Sequence, residues 1–343
     1  MSVVPADDFL HPRPVDEPYW NETGWFSFMV PERDLSGWVY LYHRPNAGYI
    51  VGGVAVWDTT ATENYDCLVY DWGEAYKSKP GDEMFDFSLD NGLTVELLEP
   101  LKRVRLEYRG QTAFNAGVSI DLEFTATGEP YAGELATEGM SEWGKGHFDQ
   151  FGRMRGTLVI DGETIVVDCP AQRDRSWGVR NIVDNPRGEF TWAIGERSSF
   201  QVLAVNTLPP AEDPGTDTTE HVVFGYYVRD GEHGAFTPGQ GGTIRVTRRD
   251  GGGRPLELRI DATDSLGRRL EAVGRVRNNL NWQGYSWLTI FWCLVEWEFD
   301  GQTVHGELQD YWPLHHARSF IRRQRQMTEF AAHSLLAEAG DRG

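Results

Sequence analysis

The sequence predicts an all-β protein: two consecutive antiparallel β-barrels or sandwiches, followed by a C-terminal helix. Three observations carry that expectation. Short runs in which apolar and polar residues alternate recur along the whole chain, the signature of strands with one wet and one dry face. Dipeptides suited to tight turns, Asn91-Gly92, Asp161-Gly162, Asp230-Gly231, Asp250-Gly251 and Asp300-Gly301, stand between those runs. A long helical pattern is found in one place, Pro313 to Ala339. The composition agrees, since aromatics make up 13% of the chain, with 13 Trp, and 38 Gly supply turns.

Taken in order, residues 1 to about 24 are rich in proline and acidic groups and read as an extended arm laid over a surface. Trp20, Trp25, Phe26 and Phe28 would anchor it. Strands are expected at Gly37 to His43, Tyr49 to Trp57, Asp66 to Trp72, Phe85 to Leu89, Leu93 to Leu98, Val104 to Arg109 and Val118 to Thr125. In the sixth of these, Val104, Leu106 and Tyr108 alternate with Arg103, Arg105 and Glu107, as in a half-buried strand. Pro130 to Glu142 reads as a loop of glycine and small residues. A hairpin follows, Thr157 to Ile160 and Thr164 to Val167 around Asp161-Gly162, and its second strand runs into Arg173-Asp174-Arg175-Ser176-Trp177.

The composition changes after Arg180, which places the boundary between a first domain, residues 1–182, and a second, residues 183–343. In the second domain Leu208 to Glu220 is an acidic, proline-bearing surface loop. Strands are expected at Phe190 to Ile194, Phe200 to Asn206, His221 to Arg229, Thr243 to Arg248, Leu256 to Asp261, Arg269 to Val276, Trp287 to Phe299 and Thr303 to Tyr311. Thr289 to Val295 is apolar on both faces and belongs at a sheet centre or beside a greasy cavity. The terminal helix carries Phe320, Ile321, Met327, Phe330, Leu335 and Leu336 on one side and Arg318, Arg322, Arg323 and Arg325 on another, and is expected to close one end of a barrel.

Composition also removes several function classes. At 343 residues the chain can bury a substantial core. A net charge of −20 opposes nucleic acid and anionic membranes as partners. Cys67, Cys169 and Cys293 are odd in number and far apart, so they form neither a disulfide framework nor a paired zinc site. The longest apolar stretch, Trp287 to Val295, is too short to span a bilayer, and the N-terminus lacks the pattern of a secretion signal. A cytoplasmic location follows as an expectation, and a homo-oligomer is compatible with the sequence. No Rossmann or P-loop glycine pattern, no G-x-S-x-G elbow and no further ligand near His315-His316 is present, so no cofactor and no metal is expected.

Within Arg173 to Trp177, strand alternation puts Gln172, Asp174 and Ser176 on one face and Arg173, Arg175 and Trp177 on the other. Asp174 then faces a cavity as a carboxyl group separated from its neighbouring arginines. The alternative is an ion pair between Asp174 and an arginine at a strand end, with Trp177-Gly178 packing and turning.

Each half ends in a comparable device: V-I-D-G-E-T-I-V-V then R-D-R-S-W, and E-F-D-G-Q-T-V-H-G-E-L then Q-D-Y-W. With His147 to Gln150 and Gly156, these segments resemble the carotenoid 1,2-hydratase and AttH-like family, whose members are similar to two consecutive lipocalin-like β-barrels and include hydratases, isomerases and pericyclic cyclases. The resemblance covers most of the chain in layout. It implies that Asp174, in D-x-x-W, stands where the family has its carboxylate, and that His147 and Gln150 lie near the first barrel's cavity. The chain departs from the family in the number of arginines around Asp174.

The chemistry expected is that of a cofactor-independent lyase or isomerase, of hydratase, dehydratase or cyclase type. Its substrate is a hydrophobic isoprenoid-like or aromatic small molecule held in a β-barrel pocket. Asp174 is the candidate acid, because burial keeps a carboxyl protonated nearer neutrality. His147 would relay a proton or orient water; its alternative is a hydrogen-bonded strand histidine. Trp177, Trp192, Trp287 and Trp292 are candidates to soften a developing cation, worth roughly 0.5–2 kcal/mol per ring, or else plain core residues. Gln150 and Tyr311 complete the candidate substrate contacts, with Asp310 a weaker candidate that braces the barrel end. The alternative function is a non-catalytic carrier of a hydrophobic ligand.

Overall fold

The computed structural model describes residues 2–111, 115–132, 146–180, 186–206, 208–209, 212, 219–239 and 241–340, with side chains of the last helix to residue 329. Strands β1 (Trp20–Val30), β2 (Leu35–Arg44), β3 (Tyr49–Trp57), β4 (Val69–Asp71), β5 (Ala75–Lys77), β6 (Phe87–Ser88), β7 (Leu93–Glu99), β8 (Arg103–Arg109), β9 (Ser119–Ala126), β10 (Gly146–Ile160) and β11 (Glu163–Val179) form one antiparallel sheet. Its order is β4-β3-β2-β1-β11-β10-β9-β8-β7-β6, an open half-barrel in which β1 is central, between β2 and β11.

The second sheet contains β12 (Arg187–Ile194), β13 (Ser198–Asn206), β14 (Thr219–Arg229), β15 (Glu232–Phe236), β16 (Thr243–Arg249), β17 (Pro255–Thr263), β18 (Arg269–Val276), β19 (Leu280–Trp282), β20 (Leu288–Phe299) and β21 (Gln302–Pro313). Pairing of β13 with β14 closes β13-β12-β21-β20-β18-β17-β16-β14 into an eight-stranded barrel, with β15 and β19 attached at its rim. Closure removes the exposed edges that an open sheet would present. The chain passes between sheets after Val179 and before Arg187; the boundary expected at residues 182 and 183 lies outside the described residues. So does most of the loops expected at 130–142 and 208–220.

Three of the aspartate-glycine pairs make two-residue hairpins, with both residues at positive φ: Asp161 at 52° and Gly162 at 82°, Asp230 at 50° and Gly231 at 80°, Asp300 at 49° and Gly301 at 72°. That geometry matches the twist of the flanking strands. The 250–251 pair instead forms a loop in which Asp250 Oδ1 accepts from the Gly252 and Arg254 amides.

The first hairpin is much longer than its β-rich ends suggested. β10 and β11 pair without a bulge from Gly146↔Trp177 to Ile160↔Glu163. The arm also ends earlier than expected. From Trp20 the chain is a central strand whose residues are all buried, because both faces of β1 are covered and simple alternation disappears. Residues 5 to 19 do lie over the first sheet, where Asp8 meets Arg173 and Phe9 O accepts from Arg175.

The two sheets share one aromatic core. Trp25 lies 5.8 Å from Trp292, and Trp38 lies 5.7 Å from Trp292 and 5.8 Å from Trp282, centroid to centroid, in tilted or edge-on contacts. Asn278 pins the junction: it accepts from Trp57 Nε1 at 3.1 Å and donates to Asp34 O at 2.7 Å. A second core fills the closed barrel, and helix α1 (Leu314–Gly340) adds Phe320 to it against Trp312. Farther along α1, Met327 is exposed; Phe330, Leu335 and Leu336 lie outside the described side chains.

The half-barrel interior holds two buried cations. Arg173 is bound by both oxygens of Asp8, at 3.0 and 3.3 Å, and Arg175 is bound by Glu22. Removing one member of a fully buried pair strands the other charge, which costs about 3–5 kcal/mol. Asp8→Ala is therefore expected to lower unfolding free energy by about that much, whereas Glu163→Ala, which breaks the solvent-screened pair with Arg33, should leave it nearly unchanged. Urea titration of both variants checks the contrast.

Candidate active site

A cavity of about 360 Å³ lies between the half-barrel and the closed barrel. It falls toward the lower end of the range for small-molecule sites, about 300–1,000 Å³. Strand register assembles its walls. On the half-barrel side one row runs Tyr40, Trp25, Asp174 across β2, β1 and β11, and the next runs Thr23, Ser176, His147 across β1, β11 and β10. On the barrel side one row is Leu203, Phe190, Gln309, Trp292, and the next includes Tyr311 and Ile290. All of these residues line the cavity, together with Trp282, Tyr285 and Trp287.

Asp174, Ser176 and the arginines occupy opposite faces of β11, as alternation requires. Arg173 and Arg175 point into the half-barrel interior, while Asp174 faces the cavity with 23% of its side chain accessible. No guanidinium among the described residues lies within ion-pair distance of it. Its nearest ionic partner is His147, whose Nδ1 lies 3.3 Å from Asp174 Oδ2.

His147 and Asp149 stand two residues apart on β10 and so share a face. His147 Nε2 is 3.0 Å from Asp149 Oδ2, and Gln172 Nε2 donates to Asp149 Oδ1 at 2.9 Å. The result is a chain of carboxylate, imidazole and carboxylate, buried at Asp149 and open to the cavity at Asp174. Burial alone would lower the His147 pKa, but Asp149 and Asp174 outweigh it and hold the ring up at about 9. Burial raises Asp174 to about 6; His147 pulls it down and Asp149 pushes it up. Between those values the proton resides on the imidazole and Asp174 is a base. Below about 6 both groups carry protons and Asp174 is an acid.

The three side chains bring donor atoms within 4.8 Å of one another, a spacing that could also suit a divalent cation. However, each ring nitrogen of His147 already faces a carboxylate oxygen, which an imidazolium satisfies with two N–H donors. A metal would take the place of the proton on one of those nitrogens, with the facing carboxylate oxygen as a second donor.

Aromatic groups complete the site. The Tyr40 and Tyr285 hydroxyls, one from each half, lie 2.6 Å apart, and burial raises both pKa values, so both remain neutral phenols able to donate. Trp282 packs 5.5 Å from Trp292, and Tyr285 stacks 5.7 Å from Trp287.

Of the residues singled out in the sequence, His147, Asp174, Trp287, Trp292 and Tyr311 line this cavity. The other four, Gln150, Trp177, Trp192 and Asp310, do not. Gln150 faces the half-barrel interior, where it donates to Leu101 O and Gly128 O and accepts from Arg173 Nε. Trp177 is on that same interior face, stacked on His11 at 4.0 Å, because it follows Arg173 and Arg175 in alternation. Trp192 is fully buried beside Glu307, one row deeper than Phe190 and Gln309. Asp310 points into the closed barrel, accepting from Trp312 Nε1 at 2.7 Å and bound by Arg249.

Asp149, Trp25, Tyr40, Trp282 and Tyr285 belong to the site without being among the candidates that the sequence offers. Asp149 had a signal: eleven positions back from Ile160 is Asp149, and eleven on from Glu163 is Asp174, so the tight turn alone sets them opposite each other.

Fold and cavity define a class: tandem β-barrel-type proteins with a chamber at the junction of their halves. The chain belongs to the family described as Domain of unknown function (DUF7064), whose model matches residues 4–313. Among solved structures, it is similar to a putative AttH from Nitrosomonas europaea, with a TM-score of 0.59 at 15% identity, covering 90% of this chain and 96% of that one. It is also similar to CghA, with a TM-score of 0.51 at 13% identity over 86% and 88% of the two chains. A weaker likeness, TM-score 0.49 at 12% identity over 85% and 89%, is to kievitone hydratase from Nectria haematococca. The likenesses to the putative AttH and to CghA show the AttH-like fold expected from the sequence. A search of curated proteins finds no significant match. No helix among the described residues is long and apolar enough to cross a membrane.

The ring of His147 reports the site without any substrate. Its titration, followed by NMR of the labelled imidazole, should have a midpoint near about 9. Asp174→Asn removes one of the two carboxylates that raise it, so the midpoint should fall. A wild-type midpoint at or below about 6.5, the ordinary histidine value, would contradict the arrangement.

Proposed function

We propose that this protein is an enzyme, a cofactor-independent lyase or isomerase of hydratase, dehydratase or cyclase type, acting on a largely hydrophobic small molecule in the cavity between its two halves. The observation that carries this reading is the proton-sharing chain Asp149, His147, Asp174, which ends on the wall of an aromatic cavity. A wholly structural ion pair would have no reason to present its shared proton to an enclosed space.

In this reading Asp174 exchanges a proton with the substrate carbon or oxygen, and His147 supplies or withdraws it from behind. Asp149, held by Gln172, keeps the imidazole oriented and its charge compensated. Trp292, with Trp25 and Trp282 packed around it, offers ring faces to positive charge that develops on the substrate. The tyrosine pair supplies neutral donors to a substrate oxygen. Below about pH 6 the site donates from Asp174; above it, Asp174 accepts and His147 holds the proton until about pH 9. Elimination and isomerisation need a base first, while hydration and cation-driven cyclisation need an acid first, so the pH limb identifies the direction.

The test is turnover of alkene-bearing terpenoids, steroids and phenylpropanoids in isotopically labelled water. Incorporated oxygen marks hydration, and deuterium alone marks isomerisation. Asp174→Asn should cut the rate by about 10²–10⁴-fold while leaving binding within a few-fold. A variant with unchanged turnover would remove Asp174 from the chemistry. No turnover across the panel, with binding retained in both proteins, would favour a carrier that only shelters its ligand.

A further inference from the structure

The closed-barrel wall of the cavity carries an amide that has no part in the proton chain. We infer that the ligand bears a hydroxyl group, alcohol or phenol, which donates to the Gln309 carbonyl oxygen on that wall while the reacting end of the molecule lies beside Asp174 on the facing wall. Glu307 is the positioning residue behind Gln309. This rests on the cavity being the ligand site of the function proposed above, and it adds a recognised group and an orientation.

Gln309 is a polar residue in an apolar row. Its cross-strand neighbours are Phe190 on β12 and Trp292 on β20, and Leu203 continues the row on β13. Two residues back on β21, Glu307 shares its face. There it is buried, with Trp192 and Leu294 opposite it on the neighbouring strands. Gln309 Nε2 donates to Glu307 Oε1 at 2.9 Å. Among the described residues no arginine, lysine or histidine lies within ion-pair distance of that carboxyl. A carboxyl group buried without a cation is costly whether it keeps its charge or takes up a proton, and an apolar side chain of similar size would suit the wall better. What Glu307 supplies instead is an anchor for one end of the Gln309 amide.

With its nitrogen held, the amide has its carbonyl end left for the chamber. Gln309 Oε1 takes no hydrogen bond among the described residues. It belongs to a half-buried side chain that lines the cavity, and it is not sealed off as the indole nitrogens of Trp192 and Trp292 are. A carbonyl oxygen only accepts, so its complement on a ligand is an O–H or N–H donor. Among Phe190, Leu203 and Trp292 a neutral hydroxyl is favoured over an ammonium group, whose burial against apolar walls costs far more. A ligand without that hydrogen would cover the oxygen and leave it unpaired, and a site built to bond a hydroxyl discriminates chiefly through that penalty.

Two probes of nearly equal shape isolate the hydroxyl: 2-naphthol and 2-methylnaphthalene, each displacing N-phenyl-1-naphthylamine from the full chain, with fluorescence as the readout. The quantity of interest is the ratio of the two affinities, because comparing that ratio between proteins cancels the difference in hydrophobicity of the probes. Gln309→Met, of similar length, is expected to lower the naphthol preference at least about fivefold, the scale of one neutral hydrogen bond, while holding methylnaphthalene within about twofold. Glu307→Leu, which frees the amide, should lower the preference about twofold or more, and Glu307→Gln, which keeps an acceptor for Gln309 Nε2, should retain it. A merely structural role for Glu307 would weaken both probes alike. Circular dichroism establishes folding, and if Gln309→Met fails to fold, the two Glu307 variants decide. A preference that Gln309→Met leaves unchanged overturns the inference, as does binding of neither probe. Asp174→Asn is expected to cut turnover and keep the preference, so loss of turnover there with no effect of Gln309→Met on the preference sinks this inference alone, and the reverse sinks the catalytic reading alone.

Discussion

Alternation along one strand is the constraint on which the site depends. In Arg173-Asp174-Arg175 three charges are adjacent in sequence, yet a pleated strand sends the first and third to one side and the second to the other. The two arginines enter the half-barrel, where Asp8 and Glu22 compensate them. Glu22, which burial alone would raise, is pulled down to about 2 by His11, Arg175 and Trp20. Asp174 is thereby free of both guanidiniums and meets His147 instead. A slip of one residue in β11 would exchange the faces and turn the carboxyl into an ordinary internal ion pair.

That arrangement gives the N-terminal arm its role. Residues 5 to 19 cover the open side of the half-barrel and bring Asp8 to Arg173. They also place His11 on Trp177 and against Glu22. The closed barrel solves the corresponding problem within its own strands, where Arg249 binds Asp310 and the Arg187 guanidinium lies 4.0 Å over the Trp312 ring. In both halves, then, the ionic cluster is interior and the face turned toward the other half is left for the chamber.

Much of this is legible in the sequence, and the limits of legibility are physical. Alternation and aspartate-glycine turns reveal strands, hairpins and the face on which Asp174 lies, because those are local properties. The tight turn at Asp161-Gly162 even carries the pairing of Asp149 with Asp174, since the ladder has no bulge to disturb the count. The central place of β1 is not legible, because a strand covered on both faces loses its alternation. Nor are Trp25, Tyr40, Trp282 and Tyr285 marked as a set: they meet only when the two sheets dock. Trp192 and Trp292 look equivalent in sequence, but neighbouring cross-strand rows put one beneath the chamber wall and the other on it. Trp177 follows Asp174 by three residues, an odd spacing that puts it on the opposite face.

The account stands on a carboxyl group at position 174 that burial and the Asp149 charge keep partly protonated inside the chamber. Infrared difference spectroscopy between acid and neutral pH measures that proton directly, with Asp174→Asn assigning the carbonyl stretch of the protonated acid. The band should disappear with a midpoint near about 6. Disappearance near about 3.9, the value of an unperturbed aspartate, would show a solvated carboxylate and contradict the account.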